Sequence, residues 1–148
     1  MIKLCTGDIL QAQTEAIVIP VNTVGVMGRG LAKQFKDKYP YAYNVYLGYC
    51  KLKKLKPGGI VIANSQNGYY AIMMATKDHW RQPSKMEWII EGLKNLNNHI
   101  NNPHRVGPLK SIAIPKIGCG LGGLKWDIVK PLIFAAIGTS KCEVSIYE

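Results

Sequence analysis

Two glycine-rich stretches contain the residues of this sequence best suited to bind an anion. Residues 25–30 read GVMGRG and residues 118–123 read GCGLGG, and each joins a predicted buried strand to a predicted helix. Glycine lets the backbone approach a ligand closely, and the N–H groups and dipole of a following helix favour negative charge. In an open α/β sheet such turns lie at the carboxyl ends of strands, where ligands bind. The two stretches therefore predict a crevice in which two loops contact the two halves of a diphosphate.

Tight turns between strands and helices are the alternative interpretation of both stretches, because glycine is common in turns. Their occurrence twice in one chain with a formal net charge of +10 favours the anion site. Neither stretch follows the P-loop pattern G-x-x-x-x-G-K-[ST], which disfavours a kinase-like nucleotide triphosphatase.

Three polar residues follow predicted strands and are expected near the same crevice. Lys77 follows the strand of residues 69–75, and its amine, once partly desolvated, would have a lowered pKa and could attack a carbonyl carbon. Most lysines are instead solvated surface charges. Asn22 precedes the first glycine stretch, where its amide orients a sugar hydroxyl or shapes the turn. Asp8 is placed to accept a hydrogen bond from an adenine amine or to cap the residues after it, and the spacing favours the cap.

Other residues that could contact a nucleic acid have ordinary alternatives. Trp80 and Arg81 could stack on a base or sugar, or cover the core. Residues 51–56 include four lysines, a composition typical of a solvated loop that can also touch phosphates. His99 and His104 lie in an asparagine-rich segment and are predicted to be on the surface.

The composition is that of one globular domain, predicted to span residues 1–148. Hydrophobic residues make up 47% of the 148 residues and charged residues 19%, which excludes a disordered or fibrous chain. No apolar run is long enough to cross a bilayer, and no signal peptide is predicted. The four cysteines form no C-x-x-C pair, so free thiols in the reducing cytoplasm are expected rather than a zinc site.

Apolar β-branched runs alternate with segments of helical period, which predicts an α/β fold. The predicted strands are residues 2–4, 16–21, 60–63, 69–75 and 111–115, with a closing strand in which Val144 and Ile146 alternate with polar neighbours. The predicted helices are residues 31–38, 41–51, a segment after Pro83, and about 126–137, where Pro131 predicts a kink or a late start. Residues 57–59 and 64–68 are predicted turns.

The helix after Pro83 has the clearest pattern in the sequence. Ser84 and Glu87 have the spacing of a capping box. An apolar stripe then recurs every three or four residues, as in an amphipathic helix, at Ile89, Leu93, Leu96 and Ile100. Residues 97–103 are predicted to end it.

Four strings, taken in chain order, resemble the macrodomain family. They are GDIL at residues 7–10, VNTVGVMGRGLA at 21–32, TK at 76–77 and IPKIGCG at 114–120. The Met-Gly-x-Gly loop and the Thr-Lys pair are most similar to the branch with the terminal ADP-ribose protein glycohydrolase and the DNA ADP-ribosyl glycohydrolase antitoxin. The resemblance implies a three-layer α/β/α fold with a mixed central sheet and an ADP-ribose cleft, with no cofactor and no metal.

The resemblance also implies a role for each matching residue. Lys77 and Asn22 would be catalytic, with Asn22 on the distal ribose, and Asp8 would bind adenine. The other implied ligand-binding residues lie beside Asp8 or in the two loops: Ile9, Thr23, Gly28, Arg29, Gly30, Leu31, Gly118, Cys119, Gly120, Leu121 and Gly122.

The reaction implied is hydrolysis of the bond between C1 of the distal ribose and a modified target. In the protein-directed relatives the lysine attacks C1 and an acidic residue in the second loop helps to release the adduct, but here Gly122 stands at that position. The loop at residues 120–126 and the His-Trp-Arg run at 79–81 are closer to the antitoxin, so a modified DNA base, thymidine, is the expected target. The alternatives are removal of ADP-ribose from protein glutamate, deacetylation of O-acetyl-ADP-ribose, a non-catalytic ADP-ribose reader and a general nucleic-acid-binding domain. The expected partners are ADP-ribosylated DNA or protein and a toxin, with no membrane.

Overall fold

The computed structural model describes residues 1–102 and 108–148, so His104 lies outside the described residues. Six strands form one sheet in the order β1-β6-β5-β2-β4-β3. All neighbouring strands are parallel except β3, which pairs with β4 in the antiparallel direction. The strands are β1 (Ile2–Cys5), β2 (Ala16–Val21), β3 (Ile60–Asn64), β4 (Tyr70–Ala75), β5 (Ser111–Ile114) and β6 (Glu143–Tyr147).

Two pairs of helices cover the two faces of this sheet. They are α1 (Gly30–Lys38), α2 (Pro40–Lys51), α3 (Met86–Ile100) and α4 (Trp126–Ile137). Along β2, Ile17 and Ile19 belong to the hydrophobic cluster with α1 and α2, while Ala16 and Val18 belong to the cluster with α3 and α4. Because successive side chains of a strand point to opposite faces, a strand covered on both sides is apolar throughout. The α/β/α layers and the mixed sheet implied by the resemblance are confirmed.

The closing strand predicted from the alternation of Val144 and Ile146 with polar neighbours is present as β6, and one of those polar neighbours is buried. Ser145 is buried together with Val144 and Ile146. The reason is that β6 lies inside the sheet, with β1 on one side and β5 on the other. Both of its edges are therefore paired, and Val144 and Ile146 pack in the cluster with α3 and α4.

The capping box predicted at Ser84 and Glu87 is wrong. Helix α3 begins at Met86, and Lys85 precedes it as the N-cap without a side-chain hydrogen bond. The Ser84 N–H donates to the Gly122 carbonyl at 2.9 Å, which holds Ser84 against the second glycine loop and outside the first turn. The stripe from Ile89 to Ile100 is buried as predicted.

Pro131 does not delay the start of α4. The helix begins at Trp126 and continues past Pro131, which lies on its exposed side. The helix loses only the bond that the missing N–H would have donated to Asp127. Nowhere in residues 1–102 and 108–148 is there a helix both long enough and apolar enough to cross a bilayer.

Candidate functional site

A cleft of about 340 Å³ opens at the carboxyl ends of the adjacent strands β5, β2 and β4. Both glycine loops and the segment between β4 and α3 contribute to its walls, which brings together residues distant in sequence. The lining residues are Pro20, Val21, Asn22, Val26, Gly28, Arg29, Gly30, Leu31, Ala32, Thr76, Lys77, Trp80, Ser84, Pro115, Lys116, Gly118, Cys119, Leu121 and Gly122.

Asn22 shapes the first glycine loop. Its side-chain Oδ1 accepts hydrogen bonds from the N–H groups of Val24, Gly25 and Val26 at 3.1, 3.1 and 3.3 Å. Its Nδ2 donates to the Val26 carbonyl at 2.7 Å. An amide nitrogen carries two donors, and among the described residues Nδ2 makes this one hydrogen bond. The turn-forming role that the sequence left open is therefore confirmed.

Backbone N–H groups at the start of α1 are available to an anion. Arg29, the N-cap residue, makes no side-chain capping bond, and Gly30 adopts a left-handed φ of +57°. The first intrahelical donor is Lys33, which bonds to the Arg29 carbonyl. Among the described residues, the N–H groups of Gly30, Leu31 and Ala32 have no protein acceptor, as expected in a first helical turn. The helix dipole adds a favourable potential for negative charge at this end.

The second glycine loop closes on itself through backbone hydrogen bonds. The N–H of Leu124 donates to the Gly118 carbonyl at 3.0 Å, and that of Gly122 to the Cys119 carbonyl at 3.3 Å. Gly118 has a φ of +75°, and a Cβ there would lie 2.8 Å from Ile89 Cδ1. Only glycine fits this turn without strain or displacement. The Gly120 N–H belongs to the bridge that pairs Cys119 with Leu124. Within the described part of the chain, the N–H group of Leu121 donates to no protein acceptor.

Lys77 is held at the carboxyl end of β4. The N–H groups of Thr76 and Lys77 both donate to the Val21 carbonyl, at 3.0 and 3.3 Å. Lys77 Nζ donates to the Trp80 carbonyl at 3.3 Å. Partial burial, and secondarily the positive charge of Arg29, lower the pKa of the Lys77 amine. A lowered pKa increases the fraction of neutral, nucleophilic amine at neutral pH.

Thr23 connects the first loop to the segment that carries Lys77. Its N–H and its hydroxyl donate to the Asp78 carbonyl at 3.0 and 2.9 Å, and the hydroxyl also contacts the Asp78 carboxylate. Thr23 is thus engaged with protein and does not line the cleft.

Most of the predicted site residues line the cleft, and four do not. Asp8, Ile9, Thr23 and Gly120 lie outside its lining. Asp8 caps a short 3-10 helix, Ile9–Gln11, and accepts from the Leu10 N–H at 3.0 Å, which confirms the cap that the spacing favoured. It follows β1, at the sheet edge away from β2, so the sheet places it to one side of the cleft.

Trp80 carries a ring stack at the rim of the cleft. The His79 ring stacks on it with centroids 5.5 Å apart, and the Arg81 guanidinium lies 4.6 Å from its centre. Trp80 is 41% exposed, so it does not cover the core. The four-lysine segment at residues 51–56 has its lysines exposed and outside the lining of the cleft.

Ser84 and Lys116 are lining residues to which sequence reasoning assigned no part in the site. The sequence predicts Ser84 in a capping box, yet it lines the cleft, and its buried hydroxyl has no partner in the part of the chain that the structure describes. The sequence feature that could have identified Ser84 as a site residue is its place on the same β4–α3 connection as Lys77. Lys116 lies between β5 and the second loop, inside the string IPKIGCG. Its position directly after a strand could have identified it as a site residue.

The donor set of the cleft suits an anion and not a metal ion. Backbone N–H groups, amines and a guanidinium dominate, whereas metal ions take carboxylate, imidazole or thiolate ligands. Within residues 1–102 and 108–148 no three His, Cys, Asp or Glu side chains are grouped closely enough to hold one. The four cysteines are free thiols.

Comparisons with known proteins agree with this architecture. The DNA ADP-ribosyl glycohydrolase of Thermus aquaticus is 40% identical over 152 residues, which cover 100% of this chain and 41% of that protein. The solved macrodomain of Mycobacterium tuberculosis DarG superposes with a TM-score of 0.93 at 37% identity, over 99% of this chain and 97% of that one.

A third relative comes from Thermosipho africanus. Its DNA ADP-ribosyl transferase-DNA ADP-ribosyl glycohydrolase fusion protein is 32% identical over 164 residues, 99% of this chain and 41% of that one. The DarTG structure from that organism, in complex with ADP-ribose, superposes with a TM-score of 0.88 at 32% identity, over 99% of this chain and 41% of that one. The present chain spans about two fifths of the length of the curated relatives that it matches. A model of the Macro domain family matches residues 18–133, and the chain therefore belongs to that family.

Proposed function

We propose that this chain is an ADP-ribosyl glycohydrolase that cleaves the bond between C1 of the distal ribose and a modified DNA base, thymidine. The observation that carries the proposal is the Lys77 amine, which lines a cleft between two loops with free backbone N–H groups. The names of the Thermus and Thermosipho relatives and the ADP-ribose complex of DarTG support it.

In this proposal the two glycine loops bind the diphosphate of ADP-ribose. The N–H groups of Gly30 and Leu31 donate from one side, with Gly28 and Arg29 beside them. The N–H group of Leu121 donates from the other side, with Gly118, Cys119, Gly120 and Gly122 completing the loop. Because N–H groups and helix dipoles favour negative charge, this arrangement suits a pyrophosphate.

The two nucleoside ends occupy opposite sides of the diphosphate. Asp8 accepts from the adenine amine while Ile9 supplies apolar contact, and Thr23 supports the first loop. The second Nδ2 hydrogen of Asn22 donates to a hydroxyl of the distal ribose. Binding therefore presents C1 of that ribose to Lys77.

Lys77 acts as the nucleophile. Its neutral amine attacks C1, the bond from C1 to the base nitrogen breaks, and the base leaves with the bonding electrons and takes up the proton that the amine loses. Water then attacks C1, the bond from C1 to the lysine nitrogen breaks with its electrons going to nitrogen, a hydroxyl remains on the ribose, and the second proton of the water goes to the lysine nitrogen. Burial and Arg29 favour the reaction because they lower the pKa of the amine.

A DNA target is favoured over a protein carboxylate by two features. No acidic side chain stands at Gly122, where the protein-directed relatives use one to release the adduct. The +10 charge also attracts a polyanion, and a carboxylate at the cleft would repel one. We place the activity in the cytoplasm, where the free cysteines stay reduced. By analogy with the Thermosipho fusion, its partner would be the transferase that modifies DNA.

The test measures ADP-ribose released from an ADP-ribosylated oligonucleotide and from a protein ADP-ribosylated on glutamate. Wild type should release ADP-ribose from the DNA, and Lys77→Ala should bind ADP-ribose in calorimetry but release none. Lys94→Ala, which removes an exposed lysine of α3, is the matched control and should behave like wild type. Full turnover by Lys77→Ala would refute the nucleophile. Binding without release from either substrate would make the chain a reader.

A further inference from the structure

Ser84 and Gly122 share one space at the wall of the cleft. The Ser84 N–H donates to the Gly122 carbonyl at 2.9 Å. A Cβ on Gly122 would lie 2.6 Å from Ser84 Oγ and 3.3 Å from Ser84 Cβ. Real Cβ atoms do not approach other atoms to 2.6 Å. The Ser84 hydroxyl therefore occupies part of the space that a side chain at position 122 would need.

The Ser84 hydroxyl has no hydrogen-bond partner within residues 1–102 and 108–148. Ser84 is 5% exposed, and its buried Oγ forms no hydrogen bond with any described residue. A buried hydroxyl without a partner is unfavourable, and native proteins pair nearly all such groups. Because both Ser84 and Gly122 line the cleft, a bound ligand is the natural partner.

We propose that Ser84 Oγ hydrogen-bonds to the ribose that carries the scissile bond, and this inference rests on the proposed function. The backbone N–H groups of the two loops are donors only, which suits phosphate oxygens. A serine hydroxyl both donates and accepts, which matches a sugar hydroxyl. Ser84 also follows Lys77 on one connection between β4 and α3, so one segment supplies the nucleophile and this contact.

The shared space makes the pair a determinant of substrate class. With Ser84 Oγ in this position, a carboxylate side chain at residue 122 would have to displace the hydroxyl, and a neutral hydroxyl faces the linkage instead. A neutral group does not repel the phosphates on either side of a modified nucleotide. Together, Ser84 and Gly122 therefore favour a nucleic-acid target over a protein target.

Ser84→Ala is the first test, with Ser65→Ala as the matched control. Ser65 is also buried, but its hydroxyl donates to the Tyr69 carbonyl at 2.7 Å and accepts from the Asn67 N–H at 3.1 Å. Ser84→Ala should weaken ADP-ribose binding about 3- to 10-fold, the value of one neutral hydrogen bond, while the thermal midpoint stays the same or rises. Ser65→Ala should lower the midpoint and leave the affinity unchanged, because its hydroxyl bonds within the protein.

Gly122→Ala is a second variant that leaves Ser84 intact. Its Cβ should displace the hydroxyl and weaken ADP-ribose binding by a similar factor. Adding Ser84→Gly should restore the room and the thermal midpoint but not the affinity.

The outcomes separate this inference from the proposed function. Wild-type affinity in Ser84→Ala, or in Gly122→Ala, would overturn the Ser84 contact while leaving the glycohydrolase proposal in place. Absence of ADP-ribose binding by the wild type would overturn both. A lowered midpoint with unchanged affinity in Ser84→Ala would assign the serine a purely structural role.

Discussion

The Tyr46 hydroxyl lies 2.8 Å from the backbone oxygen and 2.9 Å from the side-chain Oδ1 of Asn22. Tyr46 is fully buried on α2, and Asn22 follows β2 at 6% exposure. Burial, with Cys50 as a further contributor, raises the pKa of Tyr46, so the hydroxyl stays protonated and donates to Asn22. A core tyrosine thus supports the amide that shapes the first glycine loop.

Tyr46→Phe should therefore weaken both the fold and the ligand loop. Removing the donor leaves buried acceptors of Asn22 less satisfied, which costs about 1–3 kcal/mol in the free energy of unfolding. ADP-ribose affinity should fall because the loop is held less firmly. Urea unfolding and calorimetry measure the two effects. Tyr41→Phe, at a 50% exposed tyrosine of the same helix, should change stability by less than about 0.5 kcal/mol.

Arg29→Gln should move the pH dependence of ADP-ribose release to higher pH. The neutral amine of Lys77 is the reactive form, so the rate rises with pH through the pKa of that amine. Arg29 contributes to the lowering of this pKa, and its removal raises it. The variant should be slower at neutral pH and recover as pH increases, in single-turnover assays at saturating substrate.

Lys116→Gln is the control for this shift. Lys116 is a second cation of the cleft, but the lowered pKa of Lys77 arises from burial and Arg29. Its substitution should leave the midpoint of the pH profile unchanged, whatever it does to affinity. An unshifted profile in Arg29→Gln would show that Arg29 does not tune the lysine.

Gly118→Ala should disrupt the second loop. The left-handed φ and the approach to Ile89 Cδ1 at 2.8 Å and Leu124 Cδ1 at 2.9 Å leave no room for a methyl group. Overpacking of this kind costs about 1–3 kcal/mol, and the displaced loop should lose ADP-ribose affinity. Gly48→Ala, in α2 with open space at its Cβ position, should instead stabilise the protein by about 0.5–1 kcal/mol. Equal effects of the two substitutions, measured by chemical unfolding, would contradict the packing argument.

The two phenylalanines of the chain provide a test of the layered core. Phe35 is fully buried between α1 and the sheet, and Phe35→Ala should cost about 3–5 kcal/mol in unfolding free energy. Phe134 on α4 is 42% exposed, and Phe134→Ala should cost about 1 kcal/mol or less. A smaller loss at Phe35 than at Phe134 would show that the α1 face is not packed as described.

Local patterns were sufficient for most of the fold. The bounds of β2 and α4 match their predictions, because a continuous apolar run and a 3.6-residue period each reflect interactions along one element. The positions of the glycine loops could also be predicted, since each follows a buried strand. The cap at Asp8 is likewise a contact between residues two apart.

Contacts distant in sequence account for what local patterns did not predict. Ser84 has the right spacing for a capping box, but its hydrogen bond to Gly122 links residues on different connections. The interior place of β6 depends on strand order, which periodicity within β6 does not contain. For Asn22, the loop geometry showed the turn contacts, which the sequence had left open.

By itself, the sequence determined the α/β class, the two glycine loops and Lys77 as the candidate nucleophile, because these depend on residue type and short-range spacing. Only the tertiary structure decided that β5, β2 and β4 are adjacent, which brings both loops and Lys77 to one cleft. It also decided the lowered pKa of Lys77 and the burial of the Ser84 hydroxyl without a partner among the described residues. Burial and the proximity of Arg29 or Gly122 are properties of chain packing, and no local pattern encodes them.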